Sequence, residues 1–124
     1  MSQENDVTLP PLLARSEAFT QALGSQACID AIPTEARHDF GKEQRGVVWL
    51  ILTEANLFAA AATEDELHLE TFSVSEHALE TRRGVLRNTI VCGTSKWEVP
   101  TGYGGRARAF VEAFDGAKHK RGAG

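Results

Sequence analysis

The chain is poor in the residues that mark specialised chemistry. Only two of its 124 residues are cysteine, Cys28 and Cys92, too few for a disulfide-dense scaffold. Both lie in apolar, strand-like runs, so buried reduced thiols are expected. A single bridge stays open, because sequence does not place the two sulfurs. Apolar surroundings raise a thiol pKa and make it a poor nucleophile, and no G-x-S-x-G occurs. The four histidines, His38, His68, His77 and His119, share no metal-ligand spacing, and neither HExxH nor CxxC is present. No catalytic residue, metal or cofactor is therefore assigned, and a non-enzymatic protein is expected.

A basic excess is also missing. Thirteen Lys and Arg stand against seventeen Asp and Glu, a net charge of −4, which argues against a dedicated nucleic-acid binder. No apolar run reaches membrane-spanning length and no apolar h-region opens the chain, so a cytoplasmic location is expected. There is no internal repeat. At this length one domain should bury about two-thirds of the surface its unfolded chain exposes.

The most apolar stretch is 46–63, GVVWLILTEANLFAAAAT. Val47 to Leu52 is an unbroken run rich in β-branched and aromatic residues, suited to a strand buried on both faces. Val47, Trp49 and Ile51 would face one way and Val48, Leu50 and Leu52 the other. One reading makes Thr53, Glu54 and Asn56 a tight turn into a second strand, whose small alanines mark a close approach over the sheet. The rival reading starts a helix at Thr53 and carries it through 54–69, favoured by four alanines and by Glu54 in the first turn. Thr63–Glu66, TEDE, reads as a solvated turn and favours the hairpin.

Around this stretch the chain is punctuated by turns. Residues 1–8 are polar and expected to be disordered. A helix is predicted over 9–24, with proline in its first turn, Leu12, Phe19 and Leu23 at helical spacing, and Gly24 as its stop. Residues 27–33 read as a first strand, an edge or a strand end because of Pro33, and 34–45 as a polar loop or the end of that strand. Residues 67–75 alternate with a phase slip: Leu67 and Leu69 share one face, Phe72 and Val74 the other. A β-bulge near Glu70–Thr71 would restore a single face. His68 is expected to face solvent. Short strands follow at 78–81, 85–92 and 97–99, separated by turns at Arg83-Gly84 and 93–96. In the last helix Ala107, Phe110, Val111 and Phe114 form an amphipathic stripe, and 118–124 reads as a flexible basic tail. The order helix, about seven short strands, helix indicates an α+β domain over 9–117, built on a small, strongly bent antiparallel sheet or barrel.

Residues 46–58, 72–76, the Arg83-Gly84 turn and 107–114 together resemble a bacterial pleckstrin-homology-like (PH-like) domain. They match its apolar strand, L-T-[DE], short turn and L-[FY] hairpin, its later strand pairs and its capping helix. The likeness covers about residues 27–116. It implies a bent seven-stranded barrel closed by the last helix, and a non-catalytic role in binding lipids, peptides or proteins. It carries over no functional residue, and the helix over 9–24 is an addition to the pattern.

Candidate binding residues come from charge and turns. Arg37, His38, Lys42 and Arg45 precede the central strand, where a PH-like first loop can meet a lipid headgroup. Glu35, Asp39 and Glu43 are interleaved and cancel much of that field. Residues 102–107 match G-x-G-x-x-A between a strand and a helix, yet no second strand and no acidic residue about 20 positions on complete a βαβ unit. The glycines serve a tight turn more simply. An anion at this helix N-terminus, beside Arg106, is the alternative. Trp49 and its neighbours point to a partner, a homodimer or the N-terminal helix over the outer sheet face. The expected partner is a protein or a second copy of the chain. Anionic membrane lipid comes second, through 37–45 or the basic tail, and nucleic acid is not expected.

Overall fold

A computed structural model describes residues 9–85 and 87–123, the side chains of 121–123 excepted. The expected disorder of residues 1–8 lies outside the described residues. The chain is α+β. After two short helices, α1 (Pro11–Ala14) and α2 (Glu17–Leu23), come β1 (Asp30–Gly41), β2 (Gln44–Leu52), β3 (Asn56–Ala62) and β4 (Leu67–Ser73). A 3-10 turn at Val74–Glu76 leads to β5 (Leu79–Arg83), β6 (Asn88–Cys92) and β7 (Ser95–Glu98), and α3 (Gly104–Ala123) closes the order. β1 to β4 form one antiparallel meander and β5 to β7 another. The sheets are not closed into a barrel: no ladder joins β4 to β5, or β1 to β7, among the described residues.

The central hairpin settles the choice between strand and helix. β2 pairs with β3 from Trp49↔Ala60 to Leu52↔Leu57, so no helix crosses 54–69. The turn is built by Thr53, which is wholly buried. Its Oγ1 accepts from the Ala55 and Asn56 backbone N–H at 3.2 and 3.0 Å and donates to Gln26 Oε1 at 2.6 Å. These bonds offset the helix propensity of the alanines that follow.

Both faces of the larger sheet are packed by different elements, the outer one over β3 and β4. Val48, Leu50, Leu52, Leu57, Ala59 and Ala61 pack with sheet β5–β7 and with Ala107, Phe110, Phe114 and Ala117 of α3. Ile51, Phe58, Ala60 and Ala62 pack with Leu13 and Phe19 of the N-terminal helices. The expected single helix over 9–24 is broken at Arg15–Ser16. Ser16 Oγ accepts the Phe19 N–H at 3.1 Å and starts α2 afresh. The break turns Leu13 inward and leaves Leu12 exposed, the reverse of the expected stripe, whereas Phe19 is buried and Leu23 half-buried as that stripe required.

One strand expectation is resolved and another overturned. β1 runs past Pro33 to Gly41, so most of 34–45 is the end of the first strand and not a loop. Pro33 sits beside a register shift, where a missing N–H is tolerated. There buried Thr34 donates its hydroxyl to the Val48 carbonyl at 2.8 Å and accepts the Ala36 N–H at 3.1 Å. The β4 bulge is also absent: Ala62↔Leu67 to Asn56↔Ser73 is an unbroken register. The phase slip is real, because both faces are covered. Leu67 and Leu69 join the cluster under the N-terminal helices, and Phe72 joins the core beneath α3.

Smaller shifts occur in the second sheet. Val85, expected in a strand, is fully exposed in the β5–β6 turn. Residues 118–123 continue α3: Lys118 donates to the His77 carbonyl, and Lys120 lies 2.8 Å from the Glu54 carboxylate.

Candidate functional site

The five residues singled out for binding fall at two places. Arg37, His38, Lys42 and Arg45 lie on the β1–β2 hairpin, whose two-residue turn is Lys42-Glu43. Arg106 is near the start of α3, where its Nη2 donates to Asp30 Oδ1 at 2.8 Å and to the Ala31 carbonyl at 3.0 Å. Asp30 and Gly41 are the two ends of β1. A strand of that length spans about 35 Å, so Arg106 and the hairpin tip do not form one site. Arg106 instead fastens α3 to the sheet.

At the hairpin tip, Arg37, Lys42 and Arg45 are exposed and form no ion pair among the described residues. Asp39 is turned to its own backbone, accepting the Gly41 N–H at 2.8 Å, and faces Arg45 in the ladder. Cations and carboxylates thus alternate around the tip. His38 does not join them. It is half-buried, and its ring stacks on that of His68 with centroids 3.7 Å apart and planes at 7°. Phe40 meets His38 edge-on at 4.7 Å. His68, expected to face solvent, is therefore half-buried in this stack. Sequence reasoning missed the pair because β1 and β4 are the two outer strands of their sheet, and no spacing along the chain links residues 38 and 68.

Several concavities open among the described residues. A cleft of about 640 Å³ lies between the α1–α2 break and the β3–β4 turn, lined by Arg15, Ser16, Glu17, Glu64, Asp65 and Leu67 among others. A second, of about 610 Å³, is lined by residues 25–29 with Glu54 and Ala55. A third, of about 280 Å³, lies between the β5–β6 turn and the start of α3, lined by Arg83, Arg87, Asn88, Pro100, Gly102 and Gly104. Gly102 and Gly104 of the G-x-G-x-x-A stretch line that third cleft. A Cβ on Gly104 would meet Asn88 Nδ2 at 2.5 Å, so a side chain here would displace the Asn88 amide. The preceding strand β7 pairs antiparallel with β6, which is not the parallel pairing of a dinucleotide-binding unit.

The remaining reactive groups are dispersed. Both cysteines are free thiols. Burial raises the pKa of each, and nearby Lys118 partly offsets that rise at Cys92. His77 Nδ1 lies 2.9 Å from the Ser73 carbonyl oxygen. No group of three or more potential metal ligands converges among the described residues, and none of their helices is long and apolar enough to cross a membrane. In comparisons with known proteins the chain matches no family model, no curated protein and no solved structure.

Proposed function

We propose that this chain is a PH-like, non-catalytic binding domain whose ligand is a protein. The observation that carries the reading is the order of its parts. A four-stranded and a three-stranded antiparallel meander are followed by a helix whose Ala107, Phe110 and Phe114 enter the core between them. A protein ligand is supported by the outer face of β1–β2. α1 packs on β3 and α2 on β4, while Pro33 and Trp49, opposite each other in the ladder, are only partly buried and Val47 is 37% exposed. An apolar strip rimmed by Arg37 and Arg45 has the mixed character of a protein interface. The test is photo-crosslinking from position 47 in the native cytosol, with a scan of surface substitutions on the same face. A discrete crosslinked partner, lost when Arg37→Glu is added beside the probe, is expected. A scan in which no substitution changes partner recovery would sink the reading.

A second reading, peripheral binding to anionic lipid, is favoured by the β5–β6 turn. There the wholly exposed Val85 is flanked by Arg82, Arg83 and Arg87. Arg82 and Arg87 make only exposed ion pairs of 3.3 and 3.5 Å. An apolar tip with a cationic rim suits a membrane surface, at about 1 kcal/mol per cation. Co-sedimentation with anionic and neutral vesicles at low and physiological salt tests it. Salt-sensitive binding to anionic vesicles, weakened in Arg83→Glu, is expected, and salt-insensitive binding excludes the electrostatic mechanism.

A further inference from the structure

The four-stranded sheet is forked. The β1–β2 ladder runs out to Gly41↔Gln44 and the β3–β4 ladder to Ala62↔Leu67, but the β2–β3 ladder between the two hairpins ends at Trp49↔Ala60. Beyond that point no ladder pairing joins the two hairpins, although the Gly46 backbone stays close to that of Ala62. Gly46 and Ala61 lie within the fork, and a Cβ on Gly46 would come within 3.1 Å of the Phe40 ring and 3.2 Å of the Ala62 carbonyl oxygen. Over these two small residues the outer strands reach across to each other. His38 is the ladder partner of Gly46 and His68 that of Ala61, and their rings make the face-to-face stack at 3.7 Å.

Two neutral imidazoles stack favourably, by dispersion. A singly charged pair keeps a cation against an aromatic face. Two imidazolium rings at this separation repel, and each gains by returning to water. Histidine as a residue type is the side chain whose charge changes between pH 5 and 8.

The surroundings offer little to neutralise it. On β1 the same-side neighbours Ala36 and Phe40 carry no charge, while Arg37 and Asp39 alternate to the other side. β2 and β3 present Gly46 and Ala61. β4 brings Glu70 two positions along on the same side, with Glu66 at its start. β7, the strand of the other sheet that approaches β1, carries Lys96 and Glu98. No carboxylate is within ion-pair distance of either ring among the described residues.

We propose that the His38–His68 stack is a pH-sensitive clasp. It joins the two hairpins of the larger sheet near neutral pH and releases them when both rings are protonated. Release opens the sheet at its far end, away from α3, and exposes the inner face around Phe40 and Ala61.

Amide hydrogen exchange of the full chain at pH 7.5 and 5.0, corrected for the intrinsic pH dependence of exchange, tests the clasp. In the wild type, protection across 49–52 and 57–60, the ladder at the root of the fork, is expected to fall about tenfold at the lower pH, while residues 107–114 keep theirs. His68→Phe, which keeps an aromatic ring but no titrating nitrogen, should change less than twofold between the two pH values. An equal fall in the wild type and the variant, or no fall in the wild type, overturns the proposal. Should His68→Phe fail to fold, His38→Phe serves the same comparison. In the wild type, NMR titration of the two imidazole C–H signals gives an independent reading. Two separated, mutually dependent steps support the clasp, and coincident independent curves overturn it.

Discussion

The ring of Phe19 meets the ring of Phe58 edge-on, with centroids 6.0 Å apart and planes at 78°. Both side chains are at most 2% exposed. This contact makes the N-terminal helices part of the fold, because Phe58 and its alanine neighbours on β3 form a sheet face that would otherwise meet water. Truncating a buried Phe costs about 3–5 kcal/mol through lost transfer free energy and the cavity left behind. Phe19→Ala should lower stability by that amount in urea unfolding. Leu12→Ala, on the exposed side of the same segment, should change it by less than about 0.5 kcal/mol. A single helix stripe would predict large losses for both.

At the other layer, Phe114 is wholly buried among α3 and the two sheets. Phe114→Ala should likewise cost about 3–5 kcal/mol, and Phe114→Leu markedly less. The two truncations, Phe19→Ala and Phe114→Ala, sit in separate clusters, so their effects should add within about 0.5 kcal/mol in the double variant.

The β1–β2 turn carries stored strain. Lys42 and Glu43 have φ of 54° and 63°, the left-handed region that a two-residue hairpin turn requires and that asparagine and glycine occupy most readily. Replacing them with Asn-Gly should raise stability by about 0.5–2 kcal/mol without altering the fold. A thermal melt with an unchanged near-ultraviolet spectrum checks this.

The fork is tight at Gly46, where an added Cβ makes its neighbours give way by a few tenths of an ångström. Gly46→Ala places a methyl group against the Phe40 ring and the Ala62 carbonyl, and overpacking of this kind costs about 1–3 kcal/mol. Chemical denaturation provides the comparison, with Gly105→Ala as a control, since a Cβ there meets nothing within 4 Å.

Stability should also depend on alkaline pH. Burial lifts both thiols above their ordinary value of 9.0, so the folded chain holds those protons more tightly than the unfolded one. The resulting stabilisation is complete below pH 9 and is lost as pH rises through the raised values. Urea midpoints of the wild type should therefore fall between pH 8.5 and 10.5, and Cys28→Ala/Cys92→Ala should fall less over the same interval.

Much of the architecture was legible in local chemistry. The apolar run at 47–52, the turn residues Thr53 and Asn56, and the spacing of Ala107, Phe110 and Phe114 each name an element by short-range rules of alternation, turn geometry and helical period. The same rules gave the count of strands and the α+β class. They failed where a side chain replaced a backbone partner. Thr34 carries β1 past Pro33 by bonding Val48, and Ser16 restarts a helix that the hydrophobic spacing alone would have run straight through. They failed again at the Lys42-Glu43 turn, which lacks the residues its dihedral angles favour.

The chain by itself determined the apolar core strand at 47–52 and the apolar stripe of the last helix, because those properties depend on neighbours a few residues away. Tertiary structure decided what covers each face, and which distant side chains meet. The larger sheet is apolar on both sides because helices cover one over β3 and β4 and a second sheet the other, so the phase of Leu67, Leu69 and Phe72 could not be assigned from β4 alone. His38 and His68 are separated by two intervening strands and meet only because Gly46 and Ala61 leave room above the fork. Likewise Arg106 is drawn from the expected binding group to Asp30 by the docking of α3. Contacts of this kind depend on how layers stack in space, and no periodicity in the sequence encodes them.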